Sequence, residues 1–380
     1  MDTSTLTARI KAKARQMGFG LVGVTEAQPS AQMEGYLAWL AAGRHGSMAY
    51  LAEPRAVERR RDPRSILPEC KSILVLGLPY DNPGPPQPQE NAGRVAAYAW
   101  GQDYHEVLKP QLQALVAFIE EQAGQAVPNR WHTDSGPLLE RELAQRAGLG
   151  WIGKNSLLIN PQAGSYFLLA EILLGIELLA DAPLETDHCG SCTRCLDACP
   201  TDCILPDRTL DATRCISYLT IELKGPIPPE LRPALGNLVF GCDICQQVCP
   251  WNQRFAPREG ASLLGSDPQQ AWVDFDAGLS LDRRGFNQTY KGRPIKRSKR
   301  RGYLRNLAVA AGNSRDRQRV PALASLLQQD EEPLARGHAA WALGCIGGQQ
   351  AQAALQAAQQ SETDEYVRQE IAAARAAGES

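Results

Sequence analysis

Nine of the eleven cysteines lie from Cys189 to Cys249, and eight of them, all but Cys203, stand at spacings suited to iron–sulfur chemistry. The first run is Cys189-Gly-Ser-Cys192-Thr-Arg-Cys195-Leu-Asp-Ala-Cys199-Pro200, a C-x2-C-x2-C-x3-C-P pattern. The second, Cys242-Asp-Ile-Cys245-Gln-Gln-Val-Cys249-Pro250, lacks one thiolate, which Cys215 can supply. A 4Fe–4S cluster held by protein needs four thiolates, and in this spacing the Cys before Pro crosses to the other cluster. The expected sets are Cys189, Cys192, Cys195 and Cys249 for one cluster, and Cys199, Cys215, Cys242 and Cys245 for the other. Zinc can close on any C-x2-C pair, but it does not explain two paired C-x3-C-P ends. The chemistry implied is one-electron transfer at low potential.

Asp134 is the carboxylate of most interest. It sits in Trp131-His132-Thr133-Asp134-Ser135-Gly136-Pro137, a turn expected to feed a helix over 137–147 with Pro137 in its first turn. As a plain turn residue it would cap that helix. As a functional one it would be a proton donor, kept protonated by burial against an apolar cofactor. Asp103 and His105 pose the same choice at the start of a helix over 105–122. Gly150-Trp151-Ile152-Gly153-Lys154-Asn155-Ser156 lacks the G-x4-G-K-[ST] spacing of a phosphate loop, so ATP is not expected. Its glycines suit either a tight turn or the close approach of a large flat ligand. No G-x-G-x-x-G follows a strand, so a dinucleotide fold is not indicated. The clusters thus lack a visible electron acceptor, and a further cofactor is implied.

A third feature is electrostatic. Ten of the 23 residues from Arg283 to Arg305 are Lys or Arg, with Tyr290 and Tyr303 among them. Phosphates would be drawn to this field and the tyrosines could stack on bases. The alternative is a solvated linker whose charge aids solubility.

Behind these residues stands a near-neutral chain of 380 residues, with 40 basic and 42 acidic side chains, so any nucleic-acid partner must be met locally. Iron–sulfur ligation needs reduced thiols, which points to the cytoplasm. Cys70, Cys203 and Cys345 read as small buried hydrophobes. The start of the chain is an amphipathic helix without a signal-peptide pattern, and the most apolar stretch, 166–180, is broken by Glu171 and Glu177 and too short to span a bilayer. Strands are expected at 21–24 and 72–77, and a surface loop at 81–91. The fold class expected is a mixed α/β (α+β) domain over 1–182, a ferredoxin-like double-cluster module over 183–255, a basic connecting segment over 256–302 and an all-α tail over 303–380. The tail repeats Arg305-Asn306, Arg336 and Arg368 with alanine-rich followers about every 32 residues, as stacked HEAT-type pairs or a plain helical hairpin would.

The order Asp103-Tyr104-His105, Thr133 to Pro137, Gly150 to Asn155, the cysteine octet, and Arg293-Pro294-Ile295-Lys296-Arg297 to Arg305-Asn306 resembles the epoxyqueuosine reductases along nearly the whole chain. That family is cobalamin-dependent, carries two 4Fe–4S clusters and a HEAT-like tail, and is related to reductive dehalogenases. It catalyses the last step of queuosine synthesis at the wobble base of a tRNA anticodon. The resemblance implies that epoxyqueuosine is reduced to queuosine by electrons passing through both clusters to cob(I)alamin, with Asp134 as catalytic proton donor. It implies an N-terminal domain that cups base-off cobalamin. In agreement, no D-x-H-x-x-G motif is present, since Leu108 follows Asp103-Tyr104-His105 where that motif has Gly. Arg60 would reach the corrin rim, Asp134 would face the ring, and backbone around Ile159, Ala170 and Ser217 would line it, with Lys154 and Asn155 in the glycine-flanked turn. Ala96 stands where some members place a Cys near cobalt, so that contact is not required. Lys291, Arg293, Lys296, Arg297, Lys299, Arg300, Arg301 and Arg305 would hold tRNA. An external low-potential donor, no membrane contact and a monomer are expected. Two other readings are an electron carrier fused to a binding repeat, and a reductase of halogenated small molecules, which would have no use for the basic segment.

Overall fold

The computed structural model describes residues 2–81, 87, 89–184, 186–256 and 263–377, so most of the expected loop at 81–91 lies outside the described residues. The chain forms two compact units from interleaved segments. One comprises 1–84, 102–212 and 244–266; the other comprises 85–101, 213–243 and 267–380.

The first unit is built on a four-stranded sheet of β1 (Leu21–Glu26), β2 (Ser72–Pro79), β3 (Asn129–His132) and β4 (Phe167–Leu174), in the order β1-β2-β4-β3. Every pairing is antiparallel, which is the α+β form of the mixed class expected. The strand β2 is buried from Ser72 to Leu78, as a strand covered on both faces must be. Helix α1 (Tyr104–Ala123) begins where Asp103 accepts a hydrogen bond from the His105 amide and ends at left-handed Gly124. Its apolar stripe of Leu108, Leu112, Leu115, Val116 and Ile119 is buried, as the helical spacing predicts. Helix α2 (Glu140–Arg146) packs on the sheet through Leu143, Ala144 and Ala147, against Ile73, Val75 and Leu173.

The expected start of α2 at Pro137 is corrected. Residues 134–139 are a loop, and the helix begins three residues later behind Leu139, which makes no side-chain cap. The cause is local. Asp134 is left-handed (φ 55°), and Gly136 passes so close to the His132 ring that a Cβ there would lie 2.6 Å from it. The turn is thereby folded back on β3. Asp134 caps nothing.

The second unit pairs Ala92–Val95 with Leu238–Phe240 and Trp272–Asp274 in a small sheet. Its larger part is helical: α3 (Lys299–Ser314), α4 (Val320–Gln329), α5 (Pro333–Ile346), α6 (Gln349–Ser361) and α7 (Glu365–Ala377). The helices α3, α5 and α7 stack in one layer, with α4 and α6 in a second. Small residues make the stacking possible: a Cβ on Gly312 would meet Ala342 at 2.7 Å, and one on Gly344 would meet Ala374 at 2.8 Å. The starts at 299, 333 and 365 match the periodicity read from the sequence.

Candidate redox and proton-donor site

Cys189, Cys192, Cys195 and Cys249, the set assigned to one cluster, line a single cavity of about 310 Å³ in the first unit. Three segments bring them together: the 188–195 loop, the short helix Arg194–Asp197, and the N-terminal cap of helix Pro250–Phe255. Burial pushes the Cys195 thiol up, and the neighbouring Cys189, Cys249 and Cys192 push it further, as four thiols sharing one space must. The Trp151 indole N–H donates to Cys189 Sγ at 3.5 Å. Trp251 and His188 stand edge-on to Trp151 at ring separations of 5.0 and 4.9 Å. Lys154 Nζ donates to the carbonyls of Gly190 (2.8 Å) and Cys192 (2.9 Å), clamping the ligand loop. A cavity with four thiols, an aromatic wall and an N–H aimed at one sulfur fits an iron–sulfur cubane. Of the other set, Cys199 and Cys245 belong to the first unit, and Cys215 and Cys242 to the second. Cys203, read only as a buried hydrophobe, is indeed buried, but its Sγ lies 3.4 Å from that of Cys199 and draws the latter's thiol down to about 5.

The second constellation surrounds Asp134. Its carboxylate is 68% exposed, and Tyr104 donates its phenolic O–H to Oδ2 at 2.5 Å. His105 stacks on the Tyr104 ring at 4.1 Å and places Nε2 4.0 Å from the same Oδ2. Its Nδ1 meets Asp103 Oδ1 at 2.8 Å, and that hydrogen bond holds the Asp103 carboxyl below its usual range. A carboxyl group, a phenol and an oriented imidazole thus converge on one exposed point. Such a group can hand over a proton. Sequence reasoning misses Tyr104, although it lies between two residues whose types draw attention.

The remaining expected contacts fall as follows. Arg60 is buried, its Nη1 donating to the Ala56 carbonyl. Ala170 lies on β4 next to Glu171, beside the end of β3 that leads into the Asp134 loop. Lys154, Asn155 and Ile159, expected at the corrin, line the cysteine cavity. Ala96 and Ser217 belong to the second unit. Of the basic residues, Lys291, Lys296, Arg297, Lys299 and Arg301 are exposed, with Arg297 paired to Glu222. Arg300 is paired with Asp330, and Arg293 bonds to Gln270 and the Trp100 carbonyl. Arg305 is corrected: it is fully buried and donates to the carbonyls of Leu219, Leu223 and Gly225, so it ties segments of the second unit together. The stacking role for the tyrosines is corrected too. Tyr290 and Tyr303 are buried against Phe286 with their hydroxyls 2.9 Å apart, and with Ile295 and Leu304 they form the buried apolar side of a segment that carries ten charges.

The family profile "Epoxyqueuosine reductase QueG" matches residues 60–135, "4Fe-4S double cluster binding domain" matches 188–252, and "HEAT repeats" matches 297–376. An epoxyqueuosine reductase of Alicycliphilus denitrificans is 40% identical over 371 residues, covering 90% of this chain and 98% of that protein. The chain belongs to the epoxyqueuosine reductase family. A relative from Cyclobacterium marinum is 41% identical, over 79% of this chain and 95% of its own. Among solved structures, an epoxyqueuosine reductase with an epoxyqueuosine-modified tRNA-Tyr stem loop matches with a TM-score of 0.91 at 32% identity, covering 99% of both chains. The Bacillus subtilis epoxyqueuosine reductase with its catalytic aspartate loop swung out of the active site matches at 0.89 and 32%, over 98% of this chain and 99% of that one. Membership makes the chain an oxidoreductase, and the double-cluster and HEAT assignments agree with the sequence reading.

No helix among the described residues is long and apolar enough to cross a membrane.

Proposed function

We propose that this epoxyqueuosine reductase converts epoxyqueuosine to queuosine in a tRNA anticodon loop, with Asp134 as the acid that protonates the opening epoxide. The observation that carries this reading is the Tyr104–Asp134–His105 constellation, presented on an exposed left-handed turn in the same unit as a four-thiol cavity. The balance is simple: the epoxide takes up two electrons and two protons, one C–O bond breaks to give an alcohol, the second breaks to leave the alkene, and the oxygen departs as water. Opening the ring builds alkoxide charge, which a carboxylic acid quenches. Tyr104 and His105 orient the Asp134 carboxyl for that transfer.

The two cysteine sets would hold two 4Fe–4S clusters, Cys189, Cys192, Cys195 and Cys249 for one, and Cys199, Cys215, Cys242 and Cys245 for the other, fed by an external low-potential donor. Cobalamin is the cofactor we assign to the first unit, where Arg60 and backbone near Ile159 and Ala170 would hold it. His105 is tied to Asp103 and lies beside Asp134, so its imidazole is engaged with protein carboxylates and would not serve as a ligand to the cobalt. When bound, the corrin supplies a strongly reducing cobalt centre. The substrate base must leave its stack to be reached, and the exposed cations Lys291, Lys296, Arg297, Lys299 and Arg301 would grip the stem backbone. The relative solved with a modified stem loop supports a tRNA substrate.

The test is Asp134→Asn. Iron content, corrin uptake and tRNA affinity are expected to match the wild type while turnover falls at least 100-fold, the low end of general-acid effects. Full activity would return Asp134 to a turn residue. A protein that binds clusters but takes up no corrin would be an electron carrier.

A further inference from the structure

Between Cys189 and Cys249 stands a ninth cysteine, Cys203, for which neither cluster set has a use. The chain builds a defined place for it. Cys199 closes the turn after the short helix Arg194–Asp197, its amide donating to the Leu196 carbonyl at 3.2 Å. The Asp202 amide donates back to the Cys199 carbonyl at 3.2 Å, and Asp202 is left-handed (φ 50°), so the chain doubles on itself. Cys203 then opens a small hairpin, pinned by the Asp211 amide on its carbonyl (2.9 Å) and by the Ile204–Leu210 bridge. The two side chains meet inside that turn, with the Sγ atoms of Cys199 and Cys203 3.4 Å apart. Buried Thr201 sets its hydroxyl 3.7 Å from the same Cys199 sulfur. The two thiols differ in exposure: Cys199 is half-buried, whereas Cys203 is 4% exposed. Cys70, another buried thiol outside the two sets, is directed instead at the Ser72 carbonyl.

We propose that Cys199 and Cys203 are a redox modification site: a reversible disulfide that closes when iron is lost and so protects a cluster ligand. The protective role rests on the reading of Cys199 as a ligand. A pair of this kind needs one sulfur that the oxidant can reach and a second thiol poised beside it. Exposure divides those roles between Cys199 and Cys203. The oxidant is hydrogen peroxide. It takes two electrons from the Cys199 sulfur, its O–O bond breaks, and Cys199 becomes a sulfenic acid with release of one water. The Cys203 thiol then attacks that sulfur, the S–OH bond breaks, an S–S bond forms and a second water leaves. In sum, two thiols and one peroxide give one disulfide and two waters. The sulfurs must approach by about 1.4 Å, from 3.4 Å to the roughly 2.0 Å of a disulfide, a step within reach of side-chain rotation. Ligation to iron occupies the Cys199 sulfur, so the bond follows cluster loss. Without Cys203 the sulfenic acid stays open to further peroxide and passes to sulfinic acid, which a thiol reductant does not reverse.

The experiment starts from the full-length, cluster-reconstituted protein. Hydrogen peroxide is added until the iron–sulfur absorbance is lost, thiols are blocked with N-ethylmaleimide, and trypsin releases the peptide Cys195–Arg208. Tandem mass analysis should find Cys195 alkylated and Cys199 joined to Cys203, two hydrogens lighter than the dithiol. Cys203→Ala should carry as much iron as the wild type before oxidation. After peroxide, dithiothreitol with iron and sulfide should restore about twice as much iron in the wild type as in Cys203→Ala, which has lost one cluster of two. Cys199 found as sulfinic acid beside an alkylated Cys203 in the wild type would overturn the pair, as would a bond from Cys199 to any other cysteine. Equal recovery in Cys203→Ala would overturn its protective role. The cross-link is read in the wild type, so it decides the pairing even where the variant folds poorly. Cys199→Ser tests the underlying reading separately: full iron loading there would remove Cys199 from the ligand set and leave the cross-link result standing.

Discussion

Trp151 shows how a single side chain can tune redox chemistry. Its N–H reaches Cys189 Sγ, and hydrogen bonds to cluster sulfurs stabilise the reduced, more negative state. Trp151→Phe keeps the aromatic wall but removes the donor. Taking about 0.5–1.5 kcal/mol for the bond, the potential of that cluster should fall by roughly 20–60 mV. Potentiometric EPR reads this directly, and an unchanged potential would reduce Trp151 to a packing residue. At this scale thiolate spacing picked out Cys189, Cys192, Cys195 and Cys249, which line one cavity. The sequence disclosed Asp134 as a choice between cap and acid. Tyr104 and the Trp151 donor were hidden, since each acquires its role from a partner distant in sequence. Glu171 left a trace, as a charge in an otherwise apolar strand.

Among the elements, β3, β4 and the loop after β3 decide the site, and they also carry a stability cost. In the folded protein burial makes Glu140 and Glu171 titrate above their ordinary range, while in the unfolded chain both ionise near 4.5. The folded state therefore retains protons that the unfolded state has released. Stability must decline as pH rises, from the ordinary carboxylate range up to about 8 for Glu140. Each retained proton contributes a slope of about 1.4 kcal/mol per pH unit. Glu171→Gln should flatten that decline, so that its melting temperature exceeds the wild type's at pH 8 more than at pH 5. Equal differences at both pH values would mean that Glu171 carries its charge in the fold. The strands β1 and β2 and the helix α1 were legible from apolar runs and helical spacing, whereas β3 was not. The start of α2 was not, because the contact of Gly136 with the His132 ring overrides the preference of Pro137 for a first helical turn.

For the whole molecule, the charge of the connecting segment carries the proposed grip on tRNA. Reversing Lys296, Lys299 and Arg301 to Glu should weaken tRNA binding and reduce its salt slope by roughly one for each phosphate no longer neutralised. Arg305→Ala should instead lower thermal stability, since it strands the carbonyls of Leu219, Leu223 and Gly225. Unchanged affinity in the triple reversal would make the segment a solvated linker. The sequence exposed the repeats through periodic small residues, which the close approaches of Gly312 and Gly344 explain. It could not tell which of ten cations are spent internally, because burial of Arg305 depends on carbonyls some 80 residues away.

The most direct measurement is an anaerobic single-turnover reaction of the corrin-loaded, cluster-reconstituted protein, chemically reduced, with tRNA stem loop carrying epoxyqueuosine, followed by mass analysis of the nucleoside. The nucleoside should lose one oxygen atom, in a reaction that requires added reductant and is abolished in Asp134→Asn. Recovery of unchanged epoxide, or of a product that has gained water without consuming electrons, would contradict the assignment.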